Sequence, residues 1–145
     1  MTDKEFARHK KRIEDLLDIW CFRLGLRWWH IVVEYARDSS EYTTTGSEVQ
    51  GSIAHTHVMW EYLSATVSFD VSRIVEQSDE DLEYIVLHEL SHILVAEMRD
   101  CMRCDCGVDK FDVKHEERVV TMIGKAFQWT RMDMEKKLKR RSLKT

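Results

Sequence analysis

The sequence predicts an α+β fold: a small three-stranded, largely antiparallel sheet packed on a long central helix, with a helix at each end of the chain. Three observations carry this prediction. Apolar residues recur at helical spacing from Lys4 to Leu24, two runs that favour strand lie close together between Ser52 and Phe69, and Ser78 with the carboxylates after it announces a helix. At 145 residues and 43% hydrophobic content the chain is the size of one domain able to bury its own core. It contains no proline, no repeat and no linker-like stretch, so residues 1–145 are read as a single domain.

In the first segment Phe6, Ile13, Leu16, Leu17, Trp20 and Leu24 share one helical face, and Gly25 offers a left-handed stop. Trp28 to Tyr35 is aromatic and β-branched, a strand, and the polar stretch Ser39 to Gly51 is a loop. Ser52 to Trp60 and Leu63 to Phe69 read as two further strands. The short Glu61-Tyr62 connection makes them a hairpin, although neither residue favours a tight primed turn. Ser78 precedes Asp79, Glu80 and Asp81, a capping hydroxyl followed by charges that suit the positive end of a helix, which should run to about Met98. A last helix starts near Asp112 and carries Glu116, Glu117, Val120, Ile123, Phe127 and Leu138. Trp28, Trp29, Trp60 and Trp129 are expected as core anchors.

The net charge of −4 argues against the whole domain binding nucleic acid, which favours basic surfaces. Positive charge is concentrated only in the helical tail at about 136–145, beginning Lys136-Lys137-Leu138-Lys139-Arg140-Arg141, where a solvated helix end is the simpler account and a phosphate contact the alternative. No apolar run is long enough to span a bilayer, and Met1-Thr2-Asp3-Lys4-Glu5 lacks the layout of a secretory signal, so a cytoplasmic protein is expected. The 4 cysteines are too few and too uneven for a disulfide framework. Cys101, Cys104 and Cys106 are expected as reduced thiols, with a second, structural metal site as the alternative.

The chemistry concentrates in His88-Glu89-Leu90-Ser91-His92. Two histidines four positions apart lie one above the other on a helix face, with Cβ atoms about 5–6 Å apart, so both imidazoles can converge on one ion. Zinc in catalytic sites takes three protein ligands and leaves the fourth position open. Glu89, beside the ligand face, stands where a general base must stand. With 7 His in 145 residues, chance would place such a pattern roughly 0.03 times. Its setting between Ile85-Val86-Leu87 and Ile93-Leu94-Val95 would bury three ionisable groups at a cost that a metal relieves.

His115, Glu116 and Glu117 are the candidates for the third ligand. Consecutive helical residues point about 100° apart, so one of them aims at the ion. Val120, Ile123 and Phe127 share the side of Glu117 and turn it inward. Glu116 then meets solvent or a basic neighbour, and His115 is a candidate for supporting the site from behind. His55 and His57 share one face of their strand, as groups near the site or as exposed strand residues. Tyr84, one turn before His88, is either packing or a donor to the site.

The order Leu24-Gly25-Leu26-Arg27-Trp28-Trp29-His30-Ile31, Ala65-Thr66-Val67-Ser68-Phe69-Asp70, His88-Glu89-Leu90-Ser91-His92 and Glu116-Glu117-Arg118-Val119-Val120 resembles a family of phage metallopeptidases that look like minimal gluzincins. The resemblance implies a minimal zincin-like fold, a Zn(2+) cofactor held by His88, His92 and Glu117, and hydrolysis of a protein or peptide substrate with Glu89 as base. It also implies a substrate extended along a sheet edge, for which Leu63 to Phe69 is the candidate, and residence in the cytoplasm of an infected host. SprT-like proteases, which act on DNA-bound proteins, are similar in layout and would take His115 as third ligand and the basic tail as DNA contact. An interaction module that keeps the zinc without cleaving is the alternative outside the enzymes.

Overall fold

The structure, a computed structural model, describes residues 1–37, 52–105 and 113–142 and, within its two longest helices, the side chains of 79–99 and 115–139. Helix α1 spans Asp3–Arg23. It opens on a capping box in which Thr2 Oγ1 accepts from the Glu5 backbone and the Glu5 carboxylate accepts from Thr2 N–H. It ends where Gly25 takes φ +71°, the left-handed stop expected of it. Strand β1 is His30–Ala36, β2 is Ala54–Met59 and β3 is Ser64–Asp70. A single helical turn, α2, covers Val71–Ile74, and two long helices follow, α3 at Asp79–Asp105 and α4 at Val113–Ser142. Ser78 caps α3 by accepting from Asp81 N–H at 3.1 Å. That helix runs seven residues past the expected end at Met98.

The fold is α+β as expected, but the sheet is mixed. Its order is β1-β3-β2: β3 pairs antiparallel with β2 and parallel with β1. The expectation of a largely antiparallel sheet therefore holds for the β2–β3 hairpin alone, and Leu63 to Phe69 is the central strand rather than an edge. The connection from β1 is long enough to carry β2 to the outside and let β3 enter beside β1, as a parallel neighbour requires. Burial agrees with this placement, since β3 is enclosed from Val67 to Asp70 while β2 alternates. The hairpin also avoids a two-residue turn: Trp60–Tyr62 forms a 3₁₀ turn and Leu63 takes φ 47°.

One face of the sheet is apolar. Ile31, Val33 and Tyr35 of β1, Ala65, Val67 and Phe69 of β3, and Ala54 and Val58 of β2 pack with Ile13, Leu17 and Trp20 of α1 and Leu82, Val86, Leu90 and Ile93 of α3. His55 and His57 lie on the opposite face, exposed. Not all the tryptophans anchor the core. Trp28 and Trp129 are exposed, because Trp28 sits in the turn before β1 and Trp129 on the outer side of α4, while Trp29 and Trp60 are half-buried. The segment 38–51 lies outside the described residues, as do the side chains of Cys101 and Cys104 and the whole of Cys106. Among the described residues no helix is long and apolar enough to cross a membrane.

The three long helices are tied by one buried polar link. Glu83 of α3 accepts from Trp20 Nε1 of α1 at 3.1 Å and pairs with Arg131 of α4. Removing one partner of a buried pair leaves the other charge without compensation. Arg131→Met is expected to destabilise the protein by about 3 kcal/mol, read as a fall in Tm of roughly 10 °C. An unchanged Tm would show that water replaces the guanidinium at no cost.

Candidate metal centre

His88 and His92 stand one turn apart on α3, their rings 5.0 Å between centroids. Helix α4 crosses close to them. At Gly124 a Cβ would lie 3.5 Å from the His88 backbone nitrogen, so this position seats α4 directly on the motif helix. Two turns earlier on α4, Glu117 then meets the histidines. Its Oε2 lies 3.2 Å from His88 Nε2 and its Oε1 3.4 Å from His92 Nε2. Ligand atoms of His88, His92 and Glu117 fall within 4.8 Å of one another, the one such group among the described residues.

These separations suit a zinc-sized ion. Four ligands at about 2.0–2.1 Å around a tetrahedral centre stand about 3.3 Å apart; each imidazole lies that far from a different Glu117 oxygen, at 3.2 and 3.4 Å, and one atom from each of the three residues falls within 4.8 Å of the others. Two imidazoles and one carboxylate are also a donor set that zinc accepts in catalytic sites. Glu117 is 49% exposed at its side chain, so this position of the site opens to solvent. His115 is exposed and is not one of the three.

Of the two surroundings expected for Glu116, solvent or a basic neighbour, it has the second. It is buried, and it reaches back between two groups of α3: its Oε1 accepts from His92 Nδ1 at 2.9 Å and from Arg99 Nη1 at 3.3 Å. The basic neighbour is there, but solvent is not, and the support expected of His115 comes from Glu116. Arg99, two turns after His92 on the same helix, was the available signal in the sequence. Fixing the proton on Nδ1 leaves the lone pair of His92 on Nε2, the nitrogen that faces Glu117. The electrostatics agree. Burial would raise the Glu116 pKa, but the hydrogen bond from His92 and the Arg99 charge outweigh it and hold the carboxyl below its usual range. For His92, burial works against the charged form, and the Glu116 hydrogen bond with the nearby carboxylates raises the pKa overall.

His88 is the opposite case. Burial and the neighbouring His92 lower its pKa against the pull of Glu117, which favours the neutral imidazole that can donate a lone pair. Its Nδ1 is buried without a hydrogen-bond partner among the described residues. Tyr84 packs beside it, ring centroids 6.1 Å apart.

Glu89, only 6% exposed, projects from α3 towards β2. Thr56 Oγ1 donates to Glu89 Oε2 at 2.6 Å and also meets the Glu89 carbonyl at 3.2 Å. Burial raises the Glu89 pKa, with the Thr56 hydrogen bond opposing it. Thr56 is a site residue that sequence reasoning missed. The histidines on either side of it drew attention, yet strand alternation sends them to the outer face and Thr56 to the helix. No protein-family model matches the chain, and no curated protein or solved structure matches it.

The arrangement assigns Glu116 a positioning role that can be tested apart from any reaction. Glu116→Gln keeps the shape but removes the charge, and a partner of this kind typically accounts for about 10–100-fold in metal affinity. The zinc dissociation constant, measured by chelator competition, is expected to rise within that range. A value equal to the parent's would show that His92 needs no such support.

Proposed function

We propose that the chain is a zinc-dependent peptidase that hydrolyses peptide bonds with Glu89 as general base. The observation that carries this reading is the placement of Glu89: a buried carboxylate, adjacent on α3 to two histidines that share a third-ligand carboxylate, with its pKa raised. When bound, zinc supplies Lewis-acid polarisation of a carbonyl and brings the pKa of water towards about 7. Glu89 takes the proton of the attacking water and passes it to the leaving amine, for which a pKa moved towards neutrality is suited. Thr56 holds one carboxylate oxygen, Oε2, and so orients the other for this transfer. Glu116, by accepting from His92 Nδ1, leaves the lone pair on His92 Nε2, where it would be available to a metal.

A peptide can be held along β2, which among the described residues is the edge strand beside Glu89, rather than along the central strand that the sequence suggested. The Asp70 N–H bonds to the Ile53 carbonyl at 2.9 Å. By antiparallel alternation the main-chain groups of His55 and His57 also face β3, and those of Ala54, Thr56 and Val58 face outward. Such groups recognise an extended chain by strand addition. The SprT-like alternative would need His115 beside His88 and His92, the place that Glu117 takes in the one possible metal-binding group among the described residues.

The test is metal analysis of the purified chain together with a peptide-library digest followed by mass spectrometry. One zinc per chain, with cleavage that stops on chelation and returns with zinc, is the expected result. Stoichiometric zinc with no cleavage across the library would overturn the peptidase reading in favour of a binding module.

A further inference from the structure

We infer that the cleft framed by the α1–β1 connection, the β2–β3 turn and the middle of α3 is a subsite for a bulky apolar side chain of the peptide substrate, an inference that rests on the peptidase reading above. The cleft, open to solvent on one side, has a volume of about 240 Å³; the α1–β1 connection with Trp28 and Trp29 forms one wall, Trp60 and Leu63 a second, and Ile93 and Leu94 with the acidic Glu97 a third. An apolar cavity of about 150 Å³ already accepts a benzene ring, so there is room for one aromatic or long aliphatic side chain.

Its position follows from the two elements that build the site. Glu89, Ile93 and Glu97 succeed one another at four-residue steps and form one ridge of α3, so the cleft begins one turn, about 6 Å, beyond the general base. On the sheet side, Thr56 touches Glu89, and Val58 and Trp60 follow it at two-residue steps towards the cleft. On α3 the cleft opens about 6 Å beyond Glu89 and on the strand side at Trp60, four residues after Thr56, so a chain laid along β2 reaches it two to four residues from the bond to be cut, at about 3.3 Å per residue.

Two further observations set this concavity apart from ordinary packing. Trp28, which also lines it, is 77% exposed, and Leu63 and Leu94 are exposed with it. Single exposed apolar residues are common, but several gathered around one hollow mark a binding surface. Leu63 also holds φ 47°, a left-handed conformation that usually falls to Gly or Asn. Its backbone is pinned there, with N–H to the Trp60 carbonyl at 3.0 Å and its carbonyl accepting from His30 N–H at 2.8 Å. A large apolar side chain is thus kept at the cleft wall in a place where the backbone alone would favour a small residue.

The experiment compares pairs of short peptide hydroxamates on the zinc-loaded full chain, the members of each pair identical except for Phe or Gly at the second, third or fourth residue from the hydroxamate, with both orders of attachment. The Phe compound of one pair is expected to bind at least about tenfold more tightly in one order, since apolar pockets discriminate on this scale. Leu94→Lys is expected to bring that ratio close to one, and Leu94→Ala to reduce it. Leu138→Lys, on the exposed far part of α4, should leave it unchanged. Equal affinities in the parent, or a ratio that Leu94→Lys does not alter, would overturn the inference while leaving the metal reading intact. If the chain holds no zinc, the same pairs with amides in place of hydroxamates decide the matter by the indole N–H resonances of Trp29 and Trp60. Movement with the Phe peptide and not the Gly peptide supports the subsite, and movement with neither sinks it.

Discussion

Glu89→Gln is expected to keep one zinc and a folded chain while lowering the rate of peptide hydrolysis by about 10²–10⁴-fold, the usual contribution of a general base. The amide matches the carboxylate in shape, and its oxygen can still accept from Thr56 Oγ1, which lies 2.6 Å from Glu89 Oε2 in the parent. What it cannot do is take a proton. Stability should move the other way. Burial raises the Glu89 pKa in the folded state, so above the ordinary glutamate pKa of about 4.3 the folded chain must either hold an extra proton or bury a charge. A raised carboxyl pKa therefore costs stability as pH rises through that value. In the metal-free chain Glu89→Gln should unfold at a higher temperature than the parent at neutral pH, and the difference should close as pH falls towards the unfolded value. Unaltered cleavage would remove Glu89 from the mechanism; a lower Tm at neutral pH would show that its charge is compensated in the fold.

The motif was legible because its spacing is local: two histidines and a glutamate within five residues need only a helix to be brought together. That Glu117 stands beside the histidines was legible at longer range from Val120 and Ile123 on its side of α4, although it is half-exposed rather than turned inward. For Glu116 the same reasoning left solvent or a basic neighbour open, and α3 decides between them: it continues past Met98 and carries Arg99 alongside, so a residue turned about 100° from Glu117 still meets protein. Strand order was not legible from pattern alone, since hydrophobic alternation says which face is buried and not which strand is the neighbour. The clue was the run Val67-Ser68-Phe69-Asp70, buried on both faces as a central strand must be. Thr56 escaped notice because a threonine in a strand is ordinary. Only the crossing of β2 over Glu89 makes it part of the site.

Glu117→Ala tests the centre at its longest reach in sequence, from α3 to α4. The residue is half-exposed, and its carboxylate lies across His88 Nε2 and His92 Nε2 at 3.2 and 3.4 Å, so its loss should cost the metal-free fold little. The metal should feel it strongly. Two imidazoles alone leave an ion with half of its four positions to water, and the dissociation constant is expected to rise by more than about a hundredfold, beyond the 10–100-fold range expected for Glu116→Gln. The difference is readable without any substrate. At a zinc concentration one hundred times the parent dissociation constant, binding to the folded state alone stabilises the parent by about 2.7 kcal/mol, whereas a hundredfold weaker variant gains about 0.4 kcal/mol. Zinc should accordingly raise the parent Tm by several degrees and that of Glu117→Ala hardly at all. His115→Ala, altering an exposed residue outside the triad, should respond to zinc as the parent does. A full zinc response in Glu117→Ala, or its loss in His115→Ala instead, would place the third ligand elsewhere on α4 and turn the site towards the three-histidine arrangement of the SprT-like proteases.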